Sequence, residues 1–285
     1  MSSSVSISIA TNSAITAAKG FGWLVTGSPT LFAETVHSMA DVGNQVLLKV
    51  GEIRGRGGPD ADHPFGRSQE KFFWALVSAV SVFFIGCGIN IYHGIHSLLS
   101  PGEVAPFTTL VLGLLVFSLL LEAWTFRVAW KELGGIRGLR DNRQNTTVLA
   151  VLLEDAVALV GILLTLLVAG ISYVWGPRPI FDAVVAITVG VILGVMALFL
   201  AAINRRLLID TSDRKLDAAA QRWLSEQEIT AQVRSLVLDS DRAIVFVRAG
   251  RDVPQSHAVG EALKSHLADQ LGKRVDAVYW KFATP

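Results

Sequence analysis

Long apolar stretches constrain this chain more than anything else in it. The hydrocarbon core of a bilayer, ~30 Å thick, takes about 20 residues of helix to cross. Three stretches reach that length without interruption, at 72–95, 107–126 and 180–203, and a fourth, 146–170, is equally apolar apart from the adjacent pair Glu154 and Asp155. Two weaker ones precede them, 7–25 and 29–50, the latter carrying Glu34, His37, Asp41, Asn44 and Gln45. Composition agrees: 51% of the residues are hydrophobic and 17% charged, with a mean hydropathy of +0.48, a combination that soluble chains of this length rarely have.

Hydropathy alone allows 29–50 to be a soluble helix, so the basic residues decide. With the six stretches numbered along the chain, Lys49, Arg54, Arg56, Arg67 and Lys71 lie between the second and third, Arg127, Lys131, Arg137, Arg140 and Arg143 follow the fourth, and Arg205 and Arg206 follow the sixth. The alternate connections hold no Lys or Arg at 27–29 or 97–106, and only Arg178 at 173–179. Lys and Arg collect on the cytoplasmic side of a membrane, so this alternation predicts six spans with both termini cytoplasmic, whereas five would break it. In a bacterium the membrane is then the inner, cell membrane.

Past Arg206 the pattern changes. Residues 213–225 read as an Ala-rich helix capped by Ser212 or Asp213. The β-branched runs 233–238 and 243–247, separated by Asp239-Ser240-Asp241, read as a hairpin. Apolar residues Val259, Leu263, Leu267 and Leu271 line one face of a helix over 255–271 that Gly272 stops, and 275–282 is a last strand. The expected fold is an all-α six-helix transmembrane bundle over 1–208 followed by a small α+β cytoplasmic domain, α-β-β-α-β, over 209–285.

Several function classes drop out. A formal net charge of +1 implies no pull toward nucleic acid. One cysteine, Cys87, excludes an internal disulfide and a cysteine-cluster metal site. The first residues lack the basic start and compact cleavage site of a signal peptide. What remains is the chemistry of charges inside apolar helices. Glu34, His37, Asp41, Asn44 and Gln45 recur at three- and four-residue spacing and so form one stripe. Ionisable groups at membrane depth cost several kcal/mol unless paired or wetted, which makes such a stripe a candidate functional site. His37 and Asp41 stand one turn apart, close enough to share an ion. Imidazole nitrogen with carboxylate oxygen suits zinc and its first-row neighbours, whereas calcium takes oxygen alone. The alternative is a polar helix hydrogen-bonded to its partners in a bundle.

The sequence resembles the cation diffusion facilitators over nearly its whole length. The most specific part is Gly27-Ser28 followed by Ala33-Glu34-Thr35-Val36-His37-Ser38-Met39-Ala40-Asp41, similar to the family stretch that ends in HSxxD, with Glu34 where Asp is common. Asp62-His63-Pro64-Phe65-Gly66-Arg67, Glu70-Lys71-Phe72-Phe73-Trp74 and Val151-Leu152-Leu153-Glu154-Asp155 resemble the branch that contains zinc transporter 9.

The resemblance implies a transport site with two ligands from the second span and two, one turn apart, from the fifth. His37 and Asp41 match the first pair, and Asp155, six residues before Gly161, matches one of the second. The remaining position is Val151, which cannot bind metal. Either three protein ligands and water hold the ion, or Glu154 supplies the fourth. On a helix Glu154 lies about 100° from Asp155 and about 60° from Val151. Asp60 and His63 fall where some relatives hold a second ion, but the downstream His position is Arg67 here, and the alternative is a turn built on Pro59 and Pro64. In the tail His257 matches one ligand position, while the strand positions that carry His in relatives are Val247 and Trp280, which argues against a dinuclear sensor site. His93 and His96 read as interfacial or packing residues, and Asp182 lines the exit path or caps its helix.

The expectation is a transporter rather than an enzyme: a homodimer, embedded in membrane lipid, that exports a divalent cation in exchange for protons by alternating access. Zn2+ is the expected substrate, with Mn2+, Fe2+ or Co2+ as alternatives that ligand type does not exclude. A non-transporting scaffold with a degenerate site, suggested by Val151, and an intramembrane metalloenzyme, which lacks a nucleophile motif, are the rivals.

Overall fold

The structure, a computed structural model, describes residues 3–26, 29–100, 108–141, 145–176, 178–239, 241–250 and 253–282. It divides into two compact units, Met1–Arg54 with Glu70–Asn204, and Gly55–Gln69 with Arg205–Pro285.

The first unit is helical: α1 (Ser3–Thr26), α2 (Pro29–Arg54), α3 (Glu70–Leu99), α4 (Thr109–Leu133), α5 (Gly135–Asp141), α6 (Thr146–Trp175) and α7 (Pro179–Leu208). Among the described residues four stretches are long and apolar enough to cross a membrane: α3, α4, α6 and Ala183–Leu208 of α7. Helices α1 and α2 form where the sequence predicts them, but their polar content leaves them short of that apolarity. The outer surface is what lipid requires, since Phe84, Leu120, Trp124, Leu163, Leu167, Val195 and Leu198 are all more than half exposed, and a soluble monomer rarely shows such an apolar surface.

Local chemistry explains where these helices begin and end. The Thr108 hydroxyl accepts from the Val111 N–H at the start of α4, and the Asn145 carboxamide accepts from Val148 at the start of α6. At the far end of α4, Gly134 takes φ +96°, a left-handed stop that glycine adopts without a side-chain penalty, and its N–H returns to the Lys131 and Trp130 carbonyls. Helix α3 widens into a π-turn over Val82–Cys87, where the Gly88 N–H reaches back to the Phe83 carbonyl. Beyond that turn α3 comes very close to α7. A Cβ on Gly94 would stand 2.6 Å from Ile187 Cγ1 and 2.9 Å from the Ala183 carbonyl, and one on Gly190 would stand 2.9 Å from Ile91 Cγ1. Only glycine permits that approach, the usual device for packing helices in lipid.

Helix α6 is the centre of the unit. It packs against α4 and also reaches α1, α2 and α3. Its first half is enclosed on all sides: every residue from Thr146 to Leu152 is buried, as are Glu154 and Asp155.

In the second unit, helix α8 (Arg214–Glu226) is capped by Asp213, whose carboxylate accepts from the Lys215 and Leu216 N–H groups. Burial works against the charge on Asp213, but the Lys273 ammonium at 2.5 Å and these two N–H groups outweigh it and hold the carboxyl below its ordinary range. Strands β1 (Ala231–Val237) and β2 (Arg242–Ala249) pair antiparallel, and β3 (Arg274–Phe282) joins β2 in parallel after helix α9 (Ser256–Leu271). A parallel neighbour needs such a crossover, whereas the antiparallel pair closes with a short turn. Val233, Val245 and Val247 of the sheet pack with Leu216 and Leu224 of α8 and Leu263 and Leu267 of α9 into one core. The order α-β-β-α-β and its bounds lie within two residues of the sequence expectation.

Candidate metal centre

On α2, His37 and Asp41 face one another across one turn. Nε2 of the imidazole lies 3.7 Å from Oδ2 of the carboxylate, and the two side chains are 27% and 23% exposed. That is a separation an ion can close. On α6 the adjacent pair Glu154 and Asp155 is buried, with 7% and 1% of each residue exposed. One direct contact ties the two helices together: the Asn44 carboxamide nitrogen, three residues past Asp41, donates to Oε1 of Glu154.

This interior is under-satisfied. Glu154 Oε2, Asp155 Oδ2, Asn44 Oδ1 and both amide atoms of Gln45 are buried without a hydrogen-bond partner. Native structures pair nearly all such atoms, so several orphans on two packed helices call for a partner such as water or an ion. The hydroxyls of Thr125 on α4 and Ser8 on α1 stand beside the Asp155 carboxylate. The charges of Asp41, of Asp155 and of Glu122 on α4 all act on Glu154. Among the described residues no three His, Cys, Asp or Glu side chains are gathered closely enough to hold an ion together. The four ligand candidates therefore stand as two pairs, one on α2 and one on α6.

Val151 is fully buried in the apolar core that runs through α6. It packs; it offers no donor. The side chains of Glu34 and Asp182, and the residues Gly27, Ser28 and Ser240, lie outside the described residues.

Three polar groups escaped sequence reasoning. Glu122, 4% exposed, sits alone in an apolar stretch, and a lone carboxylate at membrane depth was the signal for it. Lys19, 3% exposed, donates to Ser38 at 3.1 Å and so joins α1 to α2 one residue from His37. Glu132 accepts from the Ser4 N–H at 2.7 Å and fastens α4 to the first turn of α1.

In the connecting segment Asp60 is fully engaged. One carboxylate oxygen takes the Asp62 and His63 N–H groups at 3.0 and 2.6 Å and faces the His63 ring at 3.0 Å. The other accepts from Arg67 at 2.9 Å. The His63 ring, opposed by a little burial and then joined by the His63 N–H and the Arg67 guanidinium, holds the Asp60 carboxyl down at about 2. The segment closes on itself through Arg67 N–H to the Gly57 carbonyl at 2.9 Å. In the tail, His257 is exposed on the first turn of α9, and Val247 and Trp280 are register partners on β2 and β3, so that an apolar pair fills the position. His93 and His96 are exposed on α3, with the His96 ring 6.0 Å from that of Tyr92.

One imidazole and three carboxylates, standing as two separate pairs on neighbouring helices, are donors of the kind that suits zinc and its first-row neighbours. A closed structural site has four fixed ligands, and nothing here is closed in that way.

Comparison with known proteins points in the same direction. The family model described as the cation efflux transmembrane domain matches residues 5–209. The proton-coupled zinc antiporter SLC30A9, mitochondrial, of Mus musculus is 33% identical over 205 residues, which cover 68% of this chain and 35% of that protein. Metal tolerance protein C4 of Arabidopsis thaliana is 36% identical over 200 residues, 66% of this chain and 42% of its own length. Magnetosome protein MamM of Paramagnetospirillum magneticum is 31% identical over 94 residues, 33% of this chain and 29% of its own. The chain thus spans 35% and 42% of the first two relatives' lengths.

Proposed function

The chain belongs to the cation efflux family, whose transmembrane domain fills residues 5–209, and from that premise we propose that it exchanges Zn2+ for protons across a bilayer. The observation that carries this reading is that α2, bearing His37 and Asp41, is bonded through Asn44 to α6, bearing the buried pair Glu154 and Asp155. The relative named as a proton-coupled zinc antiporter supports both the metal and the counter-ion. His37 and Asp41 bind first, Asp155 closes the site, and Glu154 supplies the fourth donor that Val151 lacks. Ligands must be deprotonated to coordinate, so protons and metal compete for the same atoms. An imidazole, with an ordinary pKa of about 6.5, is the natural competitor near neutral pH. On the more acidic side protons win and the ion leaves.

Residues 1–208 form the transport domain and 209–285 a cytoplasmic domain that holds two protomers together, two-fold dimers being the commonest closed assembly. All six long helices cross, with both ends of the chain on the side of Arg54 and Arg206, as the alternation of basic residues supports. In a Cys87→Ala background, cysteines at Val25 and Ser100 should label from outside and one at Ser265 only after permeabilisation. An unreactive Val25→Cys beside a reactive Ser100→Cys means that α1 and α2 do not cross.

The function itself is tested with a pH dye sealed in proteoliposomes whose lumen is acidic. Zinc added outside should raise the lumenal pH as protons leave. No change beyond that of protein-free vesicles contradicts antiport.

A further inference from the structure

We infer that Asn44 is a positioning residue that keeps Glu154 in reserve, hydrogen-bonded to α2, until the carboxylate is exchanged onto the transported ion. The inference rests on the proposed transport reading and assigns a role that Glu154 cannot play alone. Val151 leaves α6 one donor short, and Glu154 is the neighbouring carboxylate, about 60° round the helix. Its Oε1 is held by the Asn44 amide, while Glu154 Oε2 and Asn44 Oδ1 have no partner. With the nitrogen committed to an ionised carboxylate, which only accepts, the amide orientation is fixed, because only that atom of Asn44 can donate. The bond joins the α2 stripe to α6 one turn from Asp41, at the level where the two ligand pairs would have to close.

The chemistry of the holder matters. A Lys or Arg at position 44 would clamp the carboxylate by charge and compete with the ion. A neutral amide makes a bond of modest net strength, which a divalent cation outbids. Glu154 also gains from the exchange, because the oxygen now unsatisfied acquires a partner. Asn44 thereby sets how readily the fourth donor arrives and how readily it leaves. Holding Glu154 back weakens binding and speeds release, and a transporter needs release as much as binding.

The test is a cycle of variants measured as zinc flux in proteoliposomes: wild type, Asn44→Ala, Glu154→Gln and the double variant. With Glu154 no longer held, Asn44→Ala should lower KM for zinc about tenfold and lower kcat with it, because the ion is held longer. In the Glu154→Gln background the same substitution should change KM less than twofold. Asn44→Leu, branched at the same carbon as asparagine and suited to an apolar interior, replaces Asn44→Ala if the latter does not fold, with the same expected shifts. A merely structural Asn44 would lower kcat without lowering KM, and equally in both backgrounds; either result overturns the inference. If wild type moves no zinc, the transport reading fails first. If wild type transports and the two substitutions are simply additive, only the role of Asn44 fails.

Discussion

Asp155→Ala should abolish zinc flux and yet leave the protein at least as stable as its parent. Asp155 is almost completely buried, and its Oδ2 has no hydrogen-bond partner. A buried carboxylate in that state costs folding energy, so its removal relieves a penalty. The two hydroxyls beside it keep other bonds: Thr125 donates to the Glu122 carbonyl at 3.0 Å, and Ser8 accepts from Asn12 at 3.5 Å. Alanine at 155 therefore leaves Thr125 its bond to the backbone and costs Ser8 one of its two partners. Asp41→Ala should remove flux as well, with a smaller gain in stability, because Asp41 is partly exposed beside His37. Replacing groups that merely orient a ligand costs about 10–100-fold in metal affinity, so the loss of a ligand should exceed about 100-fold. Thermal unfolding in detergent and flux in vesicles, measured on the same preparations, check both halves. A folded Asp155→Ala protein that transports at the parent rate removes Asp155 from the site. One that has lost flux only because it has unfolded makes the residue structural.

Val151→His should tighten zinc at least tenfold and shift preference away from manganese. Position 151 is one turn from Asp155, and an imidazole there adds the borderline-soft nitrogen donor that zinc favours over manganese. The substitution also has a cost, because Val151 is fully buried in a packed core and overpacking costs roughly 1–3 kcal/mol. The metal-free variant should therefore melt below wild type, and saturating zinc should raise its melting temperature by more than it raises the parent's, since a ligand that binds only the folded form stabilises it in proportion to affinity. Thermal shifts with zinc and with manganese measure both effects. An unchanged zinc-to-manganese preference places Val151 off the ion.

Much of the architecture was legible because each part rests on a local signal. The tail could be read from Asp213 as a cap, from the spacing of Leu263, Leu267 and Leu271, and from the β-branched strands, and these elements form where those signals stand. The approach of Gly94 and Gly190 to the opposite helices could not, because a glycine inside an apolar run carries no mark of what packs against it. Nor could the π-turn at Val82–Cys87, which depends on how α3 meets its neighbours. In the site, the stripe from His37 to Gln45 was visible as helical spacing. The partnership of Asn44 with Glu154 joins residues 110 apart in sequence and no pattern predicts it. Glu122 was legible in principle, as a single carboxylate inside an apolar run. The Asp60 cluster shows the opposite: Arg67 in place of a histidine already argued against a full ion site, and its guanidinium stands 2.9 Å from the Asp60 carboxylate.

The central claim is that the His37–Asp41 pair on α2 and the Glu154–Asp155 pair on α6 carry zinc against protons. Radioactive zinc uptake into proteoliposomes of the wild-type protein, with an acidic lumen and with the gradient collapsed by a protonophore, tests it most directly. The account predicts uptake well above protein-free vesicles, driven by the acidic lumen and lost when the gradient is collapsed. Uptake no greater than that of protein-free vesicles, or indifferent to the gradient, would contradict it.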